Sequence, residues 1–88
     1  MSKQNNVFYF ELTDTFGSDL NYSHVTRFRV YASTIRGAVI KVSKETGYNF
    51  KFNGVYYKAK KACIGLVEIG EYSSVDEIES QYSNFVEL

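Results

Sequence analysis

Apolar and polar residues alternate along two segments near the start of the chain. Segments 7–13 and 24–32 each turn every second side chain to one side, the pattern of a strand with one buried face. We predict that the two strands pair as an antiparallel hairpin. The side chains expected to face the core are Phe8, Phe10, Leu12, Thr26, Phe28 and Val30, and the outer face carries Tyr9, Glu11, Arg27, Arg29 and Tyr31.

Apolar residues then recur at helical spacing from Ile35 to Val42. Ser33 precedes them and can cap the first turn with its hydroxyl, while Gly47 stands where a left-handed residue ends a helix. The sequence therefore predicts a helix that ends at about Thr46 and lays an apolar stripe on the sheet.

The dipeptide Asn53-Gly54 separates two further alternating segments and predicts a two-residue type I′ hairpin turn. Val55 is expected to point inward after the turn, together with Tyr57 and Ala59. The next segment, 62–69, is apolar on both faces. It is either a separate interior strand or a continuation of the preceding strand past a bend.

A capping-box pattern from Ser74 to Glu77 introduces a C-terminal amphipathic helix, with apolar residues continuing at helical spacing to Phe85. The predicted fold class is α+β. We expect an antiparallel sheet of four or five strands with one helix packed on it, in the order ββαββ, followed by the amphipathic helix. Residues 1–88 form a single domain, of which residues 1–6 are expected to be disordered.

The chain has 88 residues, enough for one domain, and 8 Tyr and 7 Phe supply large rings for its core. No apolar run reaches the roughly 18 residues of a transmembrane helix, and no secretory signal begins the chain. We therefore expect a cytoplasmic protein without a membrane partner. The single cysteine, Cys63, lacks zinc or redox spacing and is predicted to be a small buried residue.

Charge is segregated along the chain although the formal net charge is zero. Residues 24–61 carry nine basic side chains against Glu45 alone, a formal charge of +8. The flanking segments are acidic, at −2 for residues 1–23 and −6 for residues 62–88. This asymmetry indicates either association with a charged partner or neutralisation of the basic middle by the acidic end within one molecule.

Residues suited to catalysis are few. His24 is the only histidine, Cys63 the only thiol, and no glycine-rich phosphate loop occurs. Oxygen donors cluster between Asp14 and Asn21, but their spacing differs from that of a calcium-binding loop. We therefore predict no enzymatic activity, no cofactor and no metal site.

The segment Asp14–Ser23 joins the first two strands and combines aromatic rings with carboxylates. As a connector it is expected to use an Asx turn at Asp14, a positive φ angle at Gly17, and rings that tuck over the sheet edge. The same composition suits contact with a basic protein surface such as the nucleic-acid channel of a nuclease. The predicted protein-binding residues are Asp14, Phe16, Asp19, Asn21 and Tyr22.

The outer sheet face offers an alternative site, because it interleaves rings with cations. Rings stack on bases and cations bind phosphates, as in proteins that bind single-stranded nucleic acid. The residues of this alternative are Tyr9, Arg27, Arg29, Lys51, Tyr56, Lys58 and Lys60. If the acidic C-terminal helix covers this face instead, its carboxylates pair with the cations and no nucleic acid binds there.

Several short stretches together carry a resemblance: DTFG with NYS at residues 14–23, STIRGA at 33–38, and YKAK followed by ACIG at 57–65. They resemble a family of small uncharacterised proteins encoded by phages and prophages. The resemblance brings no function or catalytic residue with it and implies only the context of a small phage accessory protein. We expect a factor that binds a host protein and inhibits or redirects it, in the anti-CRISPR or anti-restriction style, as a monomer or homodimer. The alternatives are nucleic-acid binding and a structural phage component.

Overall fold

The computed structural model describes residues 6–16, 19–69, 75–82 and 84–88. Within these ranges six strands and two helices follow in the order ββαβββαβ. The strands are β1 (Asn6–Phe16), β2 (Asp19–Ala32), β3 (Phe50–Phe52), β4 (Tyr57–Ala59), β5 (Ile64–Glu68) and β6 (Val86–Glu87), and the helices are α1 (Ile35–Thr46) and α2 (Val75–Gln81). The predicted α+β class is confirmed, whereas the number and order of the strands differ.

The described strands form one mixed sheet in the order β3-β4-β5-β1-β2-β6. β6 is parallel to β2, and the other neighbours are antiparallel. The prediction of a wholly antiparallel sheet with four or five strands is therefore wrong. A turn at residues 60–63 separates β5 from β4, which makes β5 an interior strand. β6 has only two residues, too few for an alternating pattern to reveal it.

β1 and β2 form the long hairpin that the alternation predicted. Phe10 pairs with Phe28 and Phe8 with Val30, and these side chains lie on the α1 side of the sheet. The core on this side combines them with residues of α1 and β5. Its buried members are Phe10, Phe28, Val30, Ala32, Ala38, Val39, Val42 and Leu66.

Helix α1 begins one residue later than predicted. Thr34, not Ser33, is the N-cap, because the Thr34 hydroxyl accepts a hydrogen bond from the backbone N–H of Gly37 at 3.1 Å. The predicted end at Thr46 is confirmed, and Gly47 follows with a φ angle of 81° and donates to the Ser43 carbonyl. The helix therefore carries a defined cap at each end.

The turn between β3 and β4 is not the predicted type I′ turn. Phe52 pairs with Tyr57, so four residues connect the strands, and Asn53 does not have the positive φ angle that type I′ requires. The Asn53 side-chain oxygen instead accepts from the backbone N–H groups of Val55 and Tyr56, both at 2.9 Å. As a result Val55 points into solvent, with 79% of it exposed, and not into the core.

Helix α2 is shorter than predicted. It ends at Gln81, and Asn84 takes a φ angle of 64° before the chain enters β6. Phe85 therefore lies beyond the helix, although the sequence placed it on the helical stripe. The predicted capping residue Ser74 lies outside the described residues.

The two helices cover opposite faces of the sheet. α1 packs over β2 on the core side, whereas α2 reaches the other side through long side chains. No helix within the described ranges is long and apolar enough to cross a membrane. The prediction of disorder for residues 1–6 falls outside the described residues except at Asn6, which begins β1.

Candidate functional site

The closed end of the β1–β2 hairpin carries four of the predicted protein-binding residues. Asp14 pairs with Asn21 and Phe16 with Asp19, so all four lie on one face of the hairpin. β5 pairs with β1 only as far as Asp14, and the hairpin therefore extends past the neighbouring strand. We call these four residues the hairpin tip. The fifth predicted residue, Tyr22, has a side chain outside the described part of the structure.

The hairpin tip differs from the predicted connector. Phe16 is 80% exposed and does not tuck over the sheet edge. Asp14 continues β1, where it pairs with Asn21 and Ile64, and so it does not open an Asx turn. The predicted positive φ angle at Gly17 lies outside the described residues.

A register shift lies directly behind the hairpin tip. Thr13 pairs with Val25, but the next residue, Asp14, pairs with Asn21, and residues 22–24 have no partner on β1. The Thr13 hydroxyl donates a hydrogen bond to the Asn21 carbonyl at this point. Such bulges re-aim side chains and bend a strand. Here the shift places the acidic and aromatic side chains of the tip opposite one another.

The hairpin tip has the chemistry of a protein contact. The exposed Phe16 ring supplies apolar area that a partner can cover, and Asp14 and Asp19 supply charge that complements lysine or arginine. Among the described ion pairs none involves either aspartate. Both carboxylates are therefore available to a partner.

The outer sheet face is covered by the C-terminal segment. The Tyr9 hydroxyl donates to the Glu79 carboxylate at 2.6 Å, and the Tyr9 ring meets Phe85 edge-on with centroids 5.3 Å apart. The guanidinium of Arg27 lies 4.2 Å from the centre of the Tyr82 ring. Tyr9 is consequently only 2% exposed. The sequence allowed either an open face that binds nucleic acid or a face covered by the acidic C-terminal segment. In the structure the C-terminal segment covers it.

The two arginines of β2 are paired within the molecule. Arg29 donates through one Nη atom to Glu79 and through the other to Glu87. Arg27 pairs through Nε with Glu11 at 3.0 Å. Both Nη atoms of Arg29 are therefore occupied by carboxylates of the C-terminal segment, whereas Arg27 is held by Glu11 and the Tyr82 ring.

These contacts shift the pKa values of Tyr9, Glu79 and Arg29. Burial, together with the hydrogen bond to the charged Glu79, raises the pKa of Tyr9 to about 12. Hydrogen bonds from Tyr9 and Arg29 lower the pKa of Glu79, and those to Glu87 and Glu79 raise the pKa of Arg29. At neutral pH each group therefore holds the charge state that its partners favour.

The remaining members of the nucleic-acid set are divided. Lys51 and Lys58 pair with each other on the same side of the sheet as Tyr9. Tyr56 is buried, with only 4% of the residue exposed. The Tyr56 ring lies over Gly65 of β5 and leaves no room for a side chain there. The predicted outer face is therefore present, but its rings and cations are not all open to a ligand. Of its seven residues, Lys51 and Lys60 are exposed, Lys58 is half-buried, and the other four are covered or paired.

A groove between α1 and the β3–β4 hairpin was missed by the sequence analysis. We call it the cationic groove; its main polar and aromatic lining residues are Arg36, Lys44, Tyr48, Phe52, Tyr57 and Lys60. The sequence does indicate the wall that α1 contributes, because Arg36 and Lys44 are eight residues apart and so lie on one side of a helix. Its other wall comes from a hairpin that the sequence could not place beside that helix.

Other candidate groups form no site in the described residues. His24 is exposed and lies within β2. Cys63 is also exposed, which corrects the prediction that it is buried; it lies in the turn before β5 and not within the strand. No cluster of His, Cys, Asp and Glu side chains in the described ranges could hold a metal ion.

Comparison with known proteins adds no relative. No protein-family model, curated protein or solved structure matches this chain.

Proposed function

We propose that this chain is a non-catalytic binding protein that acts by protein–protein contact. In this proposal it is a phage accessory factor that inhibits or redirects a host protein, in the anti-CRISPR or anti-restriction style, in the cytoplasm of the host cell. The observation that carries the proposal is the hairpin tip, where the exposed Phe16 ring stands beside Asp14 and Asp19. The resemblance to small phage-encoded proteins supports the same context.

The Phe16 ring is the expected anchor of the contact. With 80% of the residue exposed, nearly its whole side chain becomes buried when a partner covers it. Burial of a phenylalanine side chain contributes about 1.5–3 kcal/mol. This corresponds to about a 10- to 150-fold change in affinity if the ring is removed.

The two aspartates define the chemistry of the partner. Carboxylates beside an apolar anchor match a surface that carries lysine or arginine around an apolar pocket. Surfaces that bind nucleic acid have this composition, so a nucleic-acid-processing complex of the host is the proposed class of partner. Association should then slow as salt is added, since exposed charges steer encounter and are screened.

The hairpin tip is held in place before any partner binds. Leu20 lies between the tip residues of β2, and its side chain and the Tyr56 ring fill the space in front of Gly65. Thr13 also ties β1 to the Asn21 carbonyl. A tip fixed in this way loses little conformational entropy on binding, which favours affinity.

Affinity purification from host lysate tests the proposal. The tagged wild-type chain, Phe16→Ser and the double variant Asp14→Asn with Asp19→Asn are compared by quantitative mass spectrometry. Val55→Ser is the matched control, because Val55 is a similarly exposed apolar residue on a different turn. We expect at least one host protein that wild type and control retain and that both tip variants lose.

The partner found in this way is then purified and titrated. Phe16→Ser should weaken its binding at least 10-fold, and Val55→Ser should leave it unchanged. Identical partner lists for wild type and the tip variants would contradict the proposal. The alternative of nucleic-acid binding through the outer sheet face has less support, because Tyr9, Arg27 and Arg29 are covered or paired there.

A further inference from the structure

The cationic groove is a cleft of about 720 Å³ on the α1 side of the sheet. It arises because the sheet is wider than the single helix that packs on it. Six strands about 4.8 Å apart span roughly 24 Å, whereas one helix is only about 10 Å wide. Because α1 packs mainly over β2, a cleft remains on this side between α1 and the hairpin of β3 and β4.

Aromatic rings form the floor of the cationic groove. Phe52 and Tyr57 face each other across β3 and β4, with ring centroids 4.9 Å apart, and Phe52 is 54% exposed. Tyr48 and Phe50 form a second pair with centroids 6.1 Å apart. Phe50 and Tyr57 pack against the edge of the core and are half-buried, as is Tyr48. Phe52 is therefore the exposed ring that a flat ligand can reach.

Cations line the walls. Arg36 and Lys44 come from α1, and Lys60 from the end of the β3–β4 hairpin. No aspartate or glutamate lines the groove, and none of its three cations takes part in the ion pairs that Arg27 and Arg29 form. The three cations of the groove are therefore not neutralised there. A cleft with this lining favours a ligand that is both anionic and aromatic.

We propose that the cationic groove binds single-stranded nucleic acid. Bases stack on the rings led by Phe52, and backbone phosphates contact Arg36, Lys44 and Lys60. A duplex fits less well, because its bases are already stacked and paired and cannot lie on the groove floor. The groove faces away from the covered sheet face and is separate from the hairpin tip. The proposal is therefore independent of the proposed protein contact.

The expected binding is local and of moderate salt dependence. The chain as a whole has a formal net charge of zero, so attraction comes from the groove cations and not from the net charge. Each phosphate contact on a single strand contributes about −0.7 to the slope of log K against log salt concentration, which gives about −2 for three contacts. Affinity should therefore fall about 15-fold between roughly 50 and 200 mM salt.

Fluorescence anisotropy with a short fluorescein-labelled oligothymidylate tests the proposal, using the full chain. Phe52→Leu keeps apolar bulk but removes the ring, and it should weaken binding about 10-fold, the effect of losing one stacked base. Lys44→Gln should reduce the steepness of the salt slope by about 0.7. Lys41→Gln is the matched control on the same helix, since Lys41 does not line the groove. Phe16→Ser should leave oligonucleotide binding unchanged, which separates this site from the hairpin tip.

Three results would overturn the proposal. The first is the absence of salt-dependent binding at low salt. The second is an equal loss in Lys41→Gln and Lys44→Gln, because binding would then be non-specific attraction to a basic surface. The third is competition by poly-L-glutamate or by a duplex as strong as competition by the unlabelled single strand. Poly-glutamate competition would assign the groove to an acidic protein segment instead.

Discussion

Replacing Gly65 by alanine should destabilise the protein although alanine is ordinarily the better residue. Gly65 is buried in β5, between the hairpin end and the turn that follows β3. A Cβ atom at this position would lie 2.8 Å from Cδ2 of Leu20 and 3.0 Å from Cε2 of Tyr56. Both distances are too short for carbon–carbon contact, which is optimal at about 3.5–4.0 Å. The two side chains must move apart to admit the methyl group.

The magnitude follows from two opposing effects. Overpacking of a filled core typically costs about 1–3 kcal/mol. Alanine also reduces the conformational entropy of the unfolded chain, which offsets about 0.4–1 kcal/mol. We therefore expect Gly65→Ala to lower the free energy of unfolding by about 1–2 kcal/mol, since the overpacking cost is the larger effect. For a domain of this size the melting temperature should fall by roughly 5–12 °C.

Thermal and urea unfolding followed by circular dichroism measure the effect. Gly37→Ala is the matched control, because its Cβ atom would lie 3.4 Å from the Thr34 hydroxyl oxygen, an ordinary contact, within α1. That variant should gain about 0.5–1 kcal/mol from helix propensity. Leu20→Ala should cost less in the Gly65→Ala background than in wild type, since the two groups collide. A Gly65→Ala protein as stable as wild type would refute the close packing described for this cluster.

Two further predictions concern the helix cap and the covered tyrosine. Thr34→Ala should cost about 1 kcal/mol in urea unfolding and Ser33→Ala much less; the reverse order would make Ser33 the cap. The pKa of Tyr9 is raised on folding, so its contribution to stability is complete below its unfolded pKa of 10.0 and is lost as pH rises through the folded pKa of about 12. The stability difference between wild type and Tyr9→Phe should therefore change between these two pH values, and a constant difference would contradict the assigned burial.

The long elements could be predicted from sequence because each has one face on a single core. A one-residue slip of β1 or β2 would turn the Phe10 and Phe28 rings away from the core they share with α1, so the alternation fixes both the faces and the register. Helix α1 is predictable for the same reason. Its cap was misplaced by one residue because Ser33 and Thr34 both carry a hydroxyl, and only the backbone geometry selects between them.

The residues of the β3–β4 turn did not determine the type of turn as clearly. Asn53-Gly54 suits a two-residue turn, yet the Asn53 side chain accepts two backbone hydrogen bonds and stabilises a four-residue connection instead. Gly54 still takes a positive φ angle, at 98°. The sequence thus predicted the presence of a reversal, but the competing side-chain hydrogen bonds decided its form.

The candidate sites were harder to predict because they depend on contacts between distant segments. The alternation correctly placed Tyr9 and Arg29 away from the core. Whether that face meets water depends on Glu79 and Phe85, about 50 to 76 residues further along the chain. The cationic groove likewise joins Arg36 of α1 to the β3–β4 hairpin. No local pattern encodes such neighbours.

The parallel pairing of β6 with β2 has a consequence for how the chain assembles. The Arg29–Glu87 contact joins residues 58 positions apart, and contacts of such separation form late because a long loop must close first. β6 pairs only with Phe28 and Arg29 of the 14-residue β2, so until β6 adds, this part of the β2 edge presents unpaired backbone groups on which another chain can dock. Addition of the two-residue β6 therefore closes the part of the β2 edge at Phe28 and Arg29 to a second chain.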